Sequence, residues 1–151
     1  MLAWHCKAFD ELTPIELYRI LEARCNTFVV EDRTVYRDMD GEDRHAFHVF
    51  ATDTTHAELT IVACARFLPP GPDRVTAEIS RVLTLPDYRG RKVGSVLMRR
   101  VIAEIRERFP AVRISLNAQQ DLLPFYKPLG FHKSKGPYLE DGMPYIEMRL
   151  H

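Results

Sequence analysis

The stretch Asp87–Arg100, DYRGRKVGSVLMRR, places Arg89, Arg91 and Lys92 just ahead of an apolar run with a helical period. A strand-like run, AEISRVLT (77–84), comes shortly before it. In a strand–loop–helix order, the first backbone N–H groups of the helix point at whatever lies over the loop, and the helix dipole makes that place favourable for an anion. The stretch therefore predicts a backbone cradle for a pyrophosphate, with a solvated basic helix start as the alternative.

The glycines of this stretch favour the cradle without deciding the matter. Gly90 and Gly94 let a phosphate approach the backbone, because glycine has no Cβ. They are one residue too close together for the motif G-x-x-x-x-G-K-[ST], and the dinucleotide fingerprint G-x-G-x-x-G is absent. On local chemistry alone, the cradle and the plain helix start fit about equally well.

The composition excludes several classes of protein. Lys plus Arg number 21 and Asp plus Glu number 21, so the formal net charge is zero. Nucleic-acid binders usually have a basic excess, so we expect no nucleic-acid partner despite the RGRK segment. No run approaches the ~18 consecutive apolar residues of a membrane span, and the amino terminus lacks the basic and apolar order of a secretion signal, so we expect no membrane partner.

The cysteines and histidines predict neither disulfides nor a metal site. Cys6, Cys25 and Cys64 are odd in number and far apart in sequence. They lack C-x-x-C spacing, and the histidines lack an H-E-x-x-H pattern. Free, reduced thiols of this kind are typical of cytoplasmic proteins, which is the location that we expect.

The hydrophobic periodicity predicts an α/β fold with the order β-α-βββ-α-β-α-ββ in one domain, residues 1–151. A capping box that starts at Thr13 begins the first helix. The polar segment 29–44 is predicted to be a loop. The second helix follows the opening stretch and ends before Pro110, and Pro128 requires the third helix to be short or distorted.

The segment RVLTLPDYRGRKVGSVLM (81–98) resembles the acyl-CoA-binding segment of the GNAT superfamily of N-acetyltransferases, [QR]-x-x-G-x-[GA]. Arg89 and Gly94 match its two ends, and Lys92 stands where the family's first glycine normally lies. Three further segments resemble other parts of the family, the last two of them its ElaA-type subgroup: LNAQQDLLPFYKPLGF (116–131), FVVEDRTVY (28–36) and YLEDGMPYIEM (138–148).

The resemblance implies a GNAT-like mixed, mostly antiparallel sheet flanked by helices. It implies direct transfer of an acetyl group from acetyl-CoA, the co-substrate, to a primary amine of a small molecule or peptide in a ternary complex. The positions that it assigns to CoA are Val82, Leu83 and Thr84 for the pantetheine arm, Arg89, Gly90, Arg91, Lys92, Val93, Gly94 and Ser95 for the pyrophosphate, and Gln119 for a further contact.

The resemblance also assigns the proton chemistry. Tyr126 is its general acid, directed at the CoA sulfur, and the alternative is a tyrosine that packs beside Phe125 with its hydroxyl satisfied by backbone or water. Glu78 is the candidate general base, because burial beside apolar neighbours would raise its pKa towards neutrality. The alternative for Glu78 is an ion pair across the sheet. Weaker candidates are Glu31, His48, which we expect to be structural, Glu147 and a chain of water molecules.

Three questions stay open on the sequence alone. The carboxylates of the segment 29–44 are interpreted as solvated surface, with recognition of a cationic amine as the alternative. They are Glu31, Asp32, Asp38, Asp40, Glu42 and Asp43. The alternative function is an acyl-CoA-binding sensor of the same fold with little or no catalysis. Strand edges in this fold often pair, so a homodimer is among the expected partners.

Overall fold

Seven strands form one continuous sheet in the computed structural model, which covers residues 1–151. The strands are β1 (Leu2–Ala8), β2 (Phe47–Asp53), β3 (Ile61–Leu68), β4 (Thr76–Thr84), β5 (Arg113–Gln119), β6 (His132–Glu140) and β7 (Met143–Leu150). Their order across the sheet is β1-β2-β3-β4-β5-β7-β6. Every neighbouring pair is antiparallel except β4 with β5, which is parallel. The predicted element order and the mostly antiparallel mixed sheet are confirmed.

The α-helices are α1 (Pro14–Arg24), α2 (Val93–Arg108) and α3 (Leu123–Tyr126). The predicted capping box begins α1, since Thr13 Oγ1 accepts from the Glu16 N–H at 3.2 Å and Glu16 Oε1 accepts from the Thr13 N–H at 2.9 Å. A 3₁₀ turn, Lys127–Leu129, follows α3, as the proline at 128 requires. None of these helices combines the length and the hydrophobicity that crossing a membrane requires.

The predicted loop 29–44 begins three residues too early, because α1 continues as a wider π-helical segment, Cys25–Glu31. No glycine or proline interrupts this segment, and the half-buried Phe28 packs against the small core cluster to which Ile20 and Ala23 of α1 belong. A 3₁₀ turn, Glu42–His45, then precedes β2. The segment between the two is irregular and lies beside β4.

The sheet has one apolar face and one face that is only partly covered. The apolar face carries alternate residues such as Ile79, Ile114 and Leu116, which pack beneath α2 in the main core. On the other face, α1 packs mainly against β3. The strands β4, β5 and β7 carry Glu78, Asn117 and Glu147 on this second face, as their register shows. We call the β4, β5 and β7 part of this face the open face.

The strands β4 and β5 are paired from Thr76 with Arg113 to Ile79 with Leu116, and they separate beyond this last pair. A bulge in β4 accompanies this separation: Arg66 pairs with Ser80 but Cys64 pairs with Leu83, so β4 has one extra residue there. Arg81 within the bulge has a φ of 58°. Bulges bend a strand and change the direction of its backbone groups. The result is a wedge between β4 and β5.

Candidate active site

A cleft with a volume of about 740 Å³ opens at this wedge. This size is typical of small-molecule sites. Its walls are the separated parts of β4 and β5, the segment around residues 27–40, and the β6–β7 turn. Of the residues predicted for the site, the cleft brings together Glu78, Val82, Leu83, Thr84, Arg89, Gln119 and Tyr126. The remaining ones, Gly90, Arg91, Lys92, Val93, Gly94 and Ser95, form the adjoining loop and the first turn of α2.

Tyr126 lines the cleft. Its side chain is 6% exposed, and its ring packs edge-to-face with Phe125 and Phe131, with centroids 4.9 and 6.0 Å away. Its hydroxyl forms no hydrogen bond with the protein and is not sealed from the cleft. Burial raises the pKa of the hydroxyl to about 12, so it keeps its proton at neutral pH. The ring is therefore a packing element, and the hydroxyl is a free donor.

The start of α2 presents backbone donors beside the cleft. The first helical hydrogen bond is donated by the Val96 N–H to the Lys92 carbonyl at 3.1 Å. The N–H groups of Val93, Gly94 and Ser95, one turn earlier, have no acceptor in the protein. Unpartnered N–H groups at the positive end of a 16-residue helix are a suitable place for an anion.

Lys92 adopts a backbone conformation that favours glycine. Its φ and ψ are 60° and 17°, in the left-handed region, where a Cβ is unfavourable. Gly90 nearby also has a positive φ, 75°. The loop therefore needs the left-handed conformation at the position where the GNAT motif has its first glycine, and a lysine adopts it here.

Arg89 holds the loop in place. Its guanidinium binds the Glu31 carboxylate at two points, 2.6 and 2.7 Å, and its Nε donates to the Thr84 carbonyl at 2.9 Å. This ties the loop to the end of the π-helical segment and to the end of β4. The hydrogen bonds and charge of Arg89 also hold the pKa of Glu31 below its usual value, which makes Glu31 a weak base.

The other base candidates differ from expectation in one respect. Glu78 is not buried: its side chain is 41% exposed on the open face, and its carboxylate lies 3.9 Å from Arg74 Nε. His48 is structural, as expected, since it is buried with Nε2 2.9 Å from the Asp43 carbonyl. Burial lowers its pKa. Burial would raise the pKa of Glu147, but hydrogen bonds from Ser134 and Arg149 outweigh it and lower that pKa.

The carboxylates of the segment 29–44 were interpreted as solvated surface groups, and this interpretation is wrong for three of the six. Asp38, Asp40 and Asp43 form ion pairs with arginines from α1, β3 and β4 at 2.6–3.4 Å. The arginines are Arg24, which is 1% exposed, Arg66 and Arg81. Three positive and three negative charges balance each other, so this network fastens the segment to the sheet. We call these six side chains the arginine–aspartate network.

Two polar residues near the cleft were not predicted from the sequence. Asn117 lines the cleft, and its Oδ1 accepts a short hydrogen bond from the Tyr138 hydroxyl. The available signal was the alternation in β5, which places Asn117 out of phase with the buried Leu116 and Ala118. Tyr138 comes from β6, and its approach to Asn117 depends on the position of β7 between β5 and β6. No group of three or more His, Cys, Asp or Glu side chains is arranged to hold a metal ion.

Comparison with known proteins agrees with this geometry. Residues 18–151 match the family model for the acetyltransferase (GNAT) domain. The chain is 35% identical to the protein ElaA of Escherichia coli over 148 residues, 98% of this chain and 95% of ElaA. It is 35% identical over 145 residues to a UPF0039 protein of Schizosaccharomyces pombe, which covers 95% of this chain and 93% of the relative.

Solved structures match over the whole chain. The crystal structure of E. coli ElaA superposes with a TM-score of 0.91 at 33% identity, covering 100% of both chains. That of an acyl-CoA N-acyltransferase from Pseudomonas aeruginosa superposes with a TM-score of 0.93 at 32% identity, again over 100% of both. This family and fold imply acyl transfer from coenzyme A. The chain therefore belongs to the GNAT acetyltransferase family and, within it, to the ElaA type.

Proposed function

We propose that the protein, as one N-acetyltransferase domain over residues 1–151, transfers an acetyl group from acetyl-CoA to a primary amine of a small molecule or peptide. The amine attacks directly in a ternary complex. The observation that carries the proposal is the Tyr126 hydroxyl, which is buried, protonated at neutral pH and without a partner in the protein, and which faces the cleft at the wedge between β4 and β5.

The residues present fit a CoA ester. The N–H groups of Val93, Gly94 and Ser95 lack protein acceptors and suit a pyrophosphate. The edge of β4 from Val82 to Thr84 has no strand beside it on the β5 side, and such an edge can pair with the amides of a pantetheine arm. Gln119 lines the same opening and can contribute an amide. Acetyl-CoA supplies the activated acyl group.

Tyr126 and Glu78 divide the proton transfers. A phenol with a pKa of about 12 holds its proton until a departing thiolate takes it, so Tyr126 acts as the general acid. Glu78 pairs with Ser115, one residue before β4 and β5 separate, and lies on the open face, where an amine can approach. Its carboxylate takes the proton of the attacking ammonium, directly or through a water molecule.

The test is free-thiol release from acetyl-CoA in the presence of a panel of primary amines. We expect release that depends on the amine and saturates with it, with an N-acetylated product identified by mass spectrometry. CoA binding without any amine-dependent release would favour the sensor instead. A tight CoA complex by calorimetry, measured in parallel, distinguishes that outcome from a protein that binds no CoA.

A further inference from the structure

The cations that line the cleft are almost all paired within the protein. Arg66 and Arg81 contact Asp40 at 2.7 and 3.4 Å, within the balanced arginine–aspartate network. Arg89 binds Glu31 at two points. These arginines therefore add little net positive charge to the cleft. They are fastened to the protein and are not available to bind an anionic acceptor.

The carboxylates of the cleft are different. Four carboxylates outside the network line it, against one unpaired cation, Arg37. They are Asp32, Glu78, Glu140 and Asp141. Three of these form no ion pair, and Glu78 has only the 3.9 Å contact with Arg74. The charge that the protein leaves unpaired in the cleft is therefore negative.

The acidic side chains converge on the open face. Tyr138 donates its hydroxyl hydrogen to Asn117 beside the cleft, and several of these carboxylates affect it. Burial raises the pKa of the Tyr138 hydroxyl, and the negative charges of Glu140, Glu147 and Glu78 raise it further. Carboxylates from β4, β6 and β7 thus act on one point next to the wall of the cleft.

A second, independent feature points to a ligand in this cleft. The Tyr126 side chain is 6% exposed, yet its hydroxyl faces the same cleft and has no partner in the protein. Because the hydroxyl reaches the cleft, a molecule bound there can supply the hydrogen bond that the protein does not. The carboxylates therefore line the cavity in which a ligand is received.

We propose that the acceptor is a small amine with a second positive charge, a diamine or polyamine, and that Glu140 and Asp141 attract the ammonium that does not react. This inference rests on the proposed function. The reacting nitrogen must lose its proton before it attacks, so a monoamine gives up its only charge. A second ammonium keeps its charge throughout, and its attraction to the carboxylates persists in the transition state.

The experiment compares two acceptors of equal chain length, 1,4-diaminobutane and butylamine, with acetyl-CoA at low ionic strength. We expect kcat/KM for the diamine to exceed that for the monoamine about tenfold or more, as several exposed charge contacts would give together. The preference should shrink in salt, because the Debye length is only about 10 Å at 0.1 M.

The test variant is E140Q/D141N. Asp141 has a φ of 52°, which asparagine also tolerates, so the β6–β7 turn is preserved. We expect this variant to lose roughly fivefold or more of the preference for the diamine over butylamine. The matched control D73N/E107Q removes the same charge from exposed carboxylates outside the cleft and should keep the preference.

The outcomes separate this inference from the proposed function. Equal kcat/KM for both amines, or a full preference in E140Q/D141N, overturns the inference while acetyl transfer stands. Calorimetric binding of the two amines gives the same comparison without chemistry. Preferential binding of 1,4-diaminobutane that E140Q/D141N abolishes, with no acetylated product, supports recognition of the diamine by these carboxylates but overturns the proposed function, and with it the role of the diamine as acceptor.

Discussion

Arg89 and Glu31 are 58 residues apart in sequence and bind each other at two points, 2.6 and 2.7 Å. The pair joins the loop ahead of α2 to the end of the helical segment that begins at Pro14. The same arginine holds the Thr84 carbonyl, at the end of β4. The loop that leads to the N–H groups of α2 is thus fixed from two sides by one side chain.

Weakening this pair should weaken CoA binding. Glu31→Gln removes the charge, and Arg89→Lys removes the two-point geometry, which an ammonium cannot reproduce. Because both side chains are exposed, each change should raise the Kd for CoA only about two- to fivefold, and less at high salt. Isothermal titration calorimetry measures the effect, with Glu42→Gln as a charge-matched control outside the pair. An unchanged Kd in both variants would show that the pair does not order the loop.

At Lys92, substitution by glycine should stabilise the protein. Its left-handed conformation costs a lysine roughly 1 kcal/mol and costs glycine almost nothing, so Lys92→Gly should raise the free energy of unfolding by about 0.5–1 kcal/mol. Lys127, with a φ of −57°, is the matched control, and Lys127→Gly should lower stability by a similar amount. Urea unfolding compares the two. Destabilisation by both substitutions would contradict the strain at position 92.

Lys92→Gly also tests whether the lysine side chain contributes to CoA binding. If the side chain reaches the CoA phosphates, Lys92→Gly will raise the Kd for CoA even as it stabilises the protein. The loop backbone is already in the conformation that glycine adopts, so we expect the N–H donors of α2 to keep their place. We predict a loss of affinity of about threefold or less, since the ammonium is exposed and screened.

The arginine–aspartate network should account for most of the loss of folding stability at acid pH. Burial opposes ionisation of Asp43, but hydrogen bonds and charge from Arg24 and Arg66 hold its pKa below its usual 3.8. A depressed carboxyl pKa stabilises the folded state at pH values above about 3.8, and this contribution is lost as the pH falls through the lower folded value. Asp43→Asn leaves buried guanidinium charge unbalanced and should cost about 3 kcal/mol or more.

His48 adds a separate step at higher pH. Burial lowers its pKa below the ordinary 6.5, so the unfolded chain takes up a proton first as the pH falls. Stability should therefore begin to decline below about pH 6.5, before the carboxylates titrate. Thermal unfolding measured between about pH 8 and about pH 5 should show this decline, and His48→Gln should remove it. A decline of equal size in His48→Gln would assign it to another group.

Local sequence patterns were sufficient to predict much of the secondary structure. The faces of α2, the capping box at Thr13 and the short α3 follow from residues within a few positions of each other. The loop ahead of α2 was identified for the same reason. Each depends on spacing and backbone chemistry that a single segment contains.

Features that join distant segments were not predictable in this way. Arg24, Arg66 and Arg81 meet three aspartates only because the sheet brings α1, β3 and β4 together. The exposure of Glu78 follows from which face of the sheet α1 leaves open. The sequence pattern showed that these residues are polar, but it could not show which residues they contact.

The most direct test of the account is the turnover of Tyr126→Phe. The substitution removes only the hydroxyl and keeps the ring between Phe125 and Phe131. The control is Tyr18→Phe, a tyrosine that is 63% exposed and outside the cleft. We predict that kcat for amine acetylation falls about a hundredfold or more in Tyr126→Phe, while the Kd for CoA changes less than about twofold. Equal kcat in the wild-type protein and Tyr126→Phe would contradict the account.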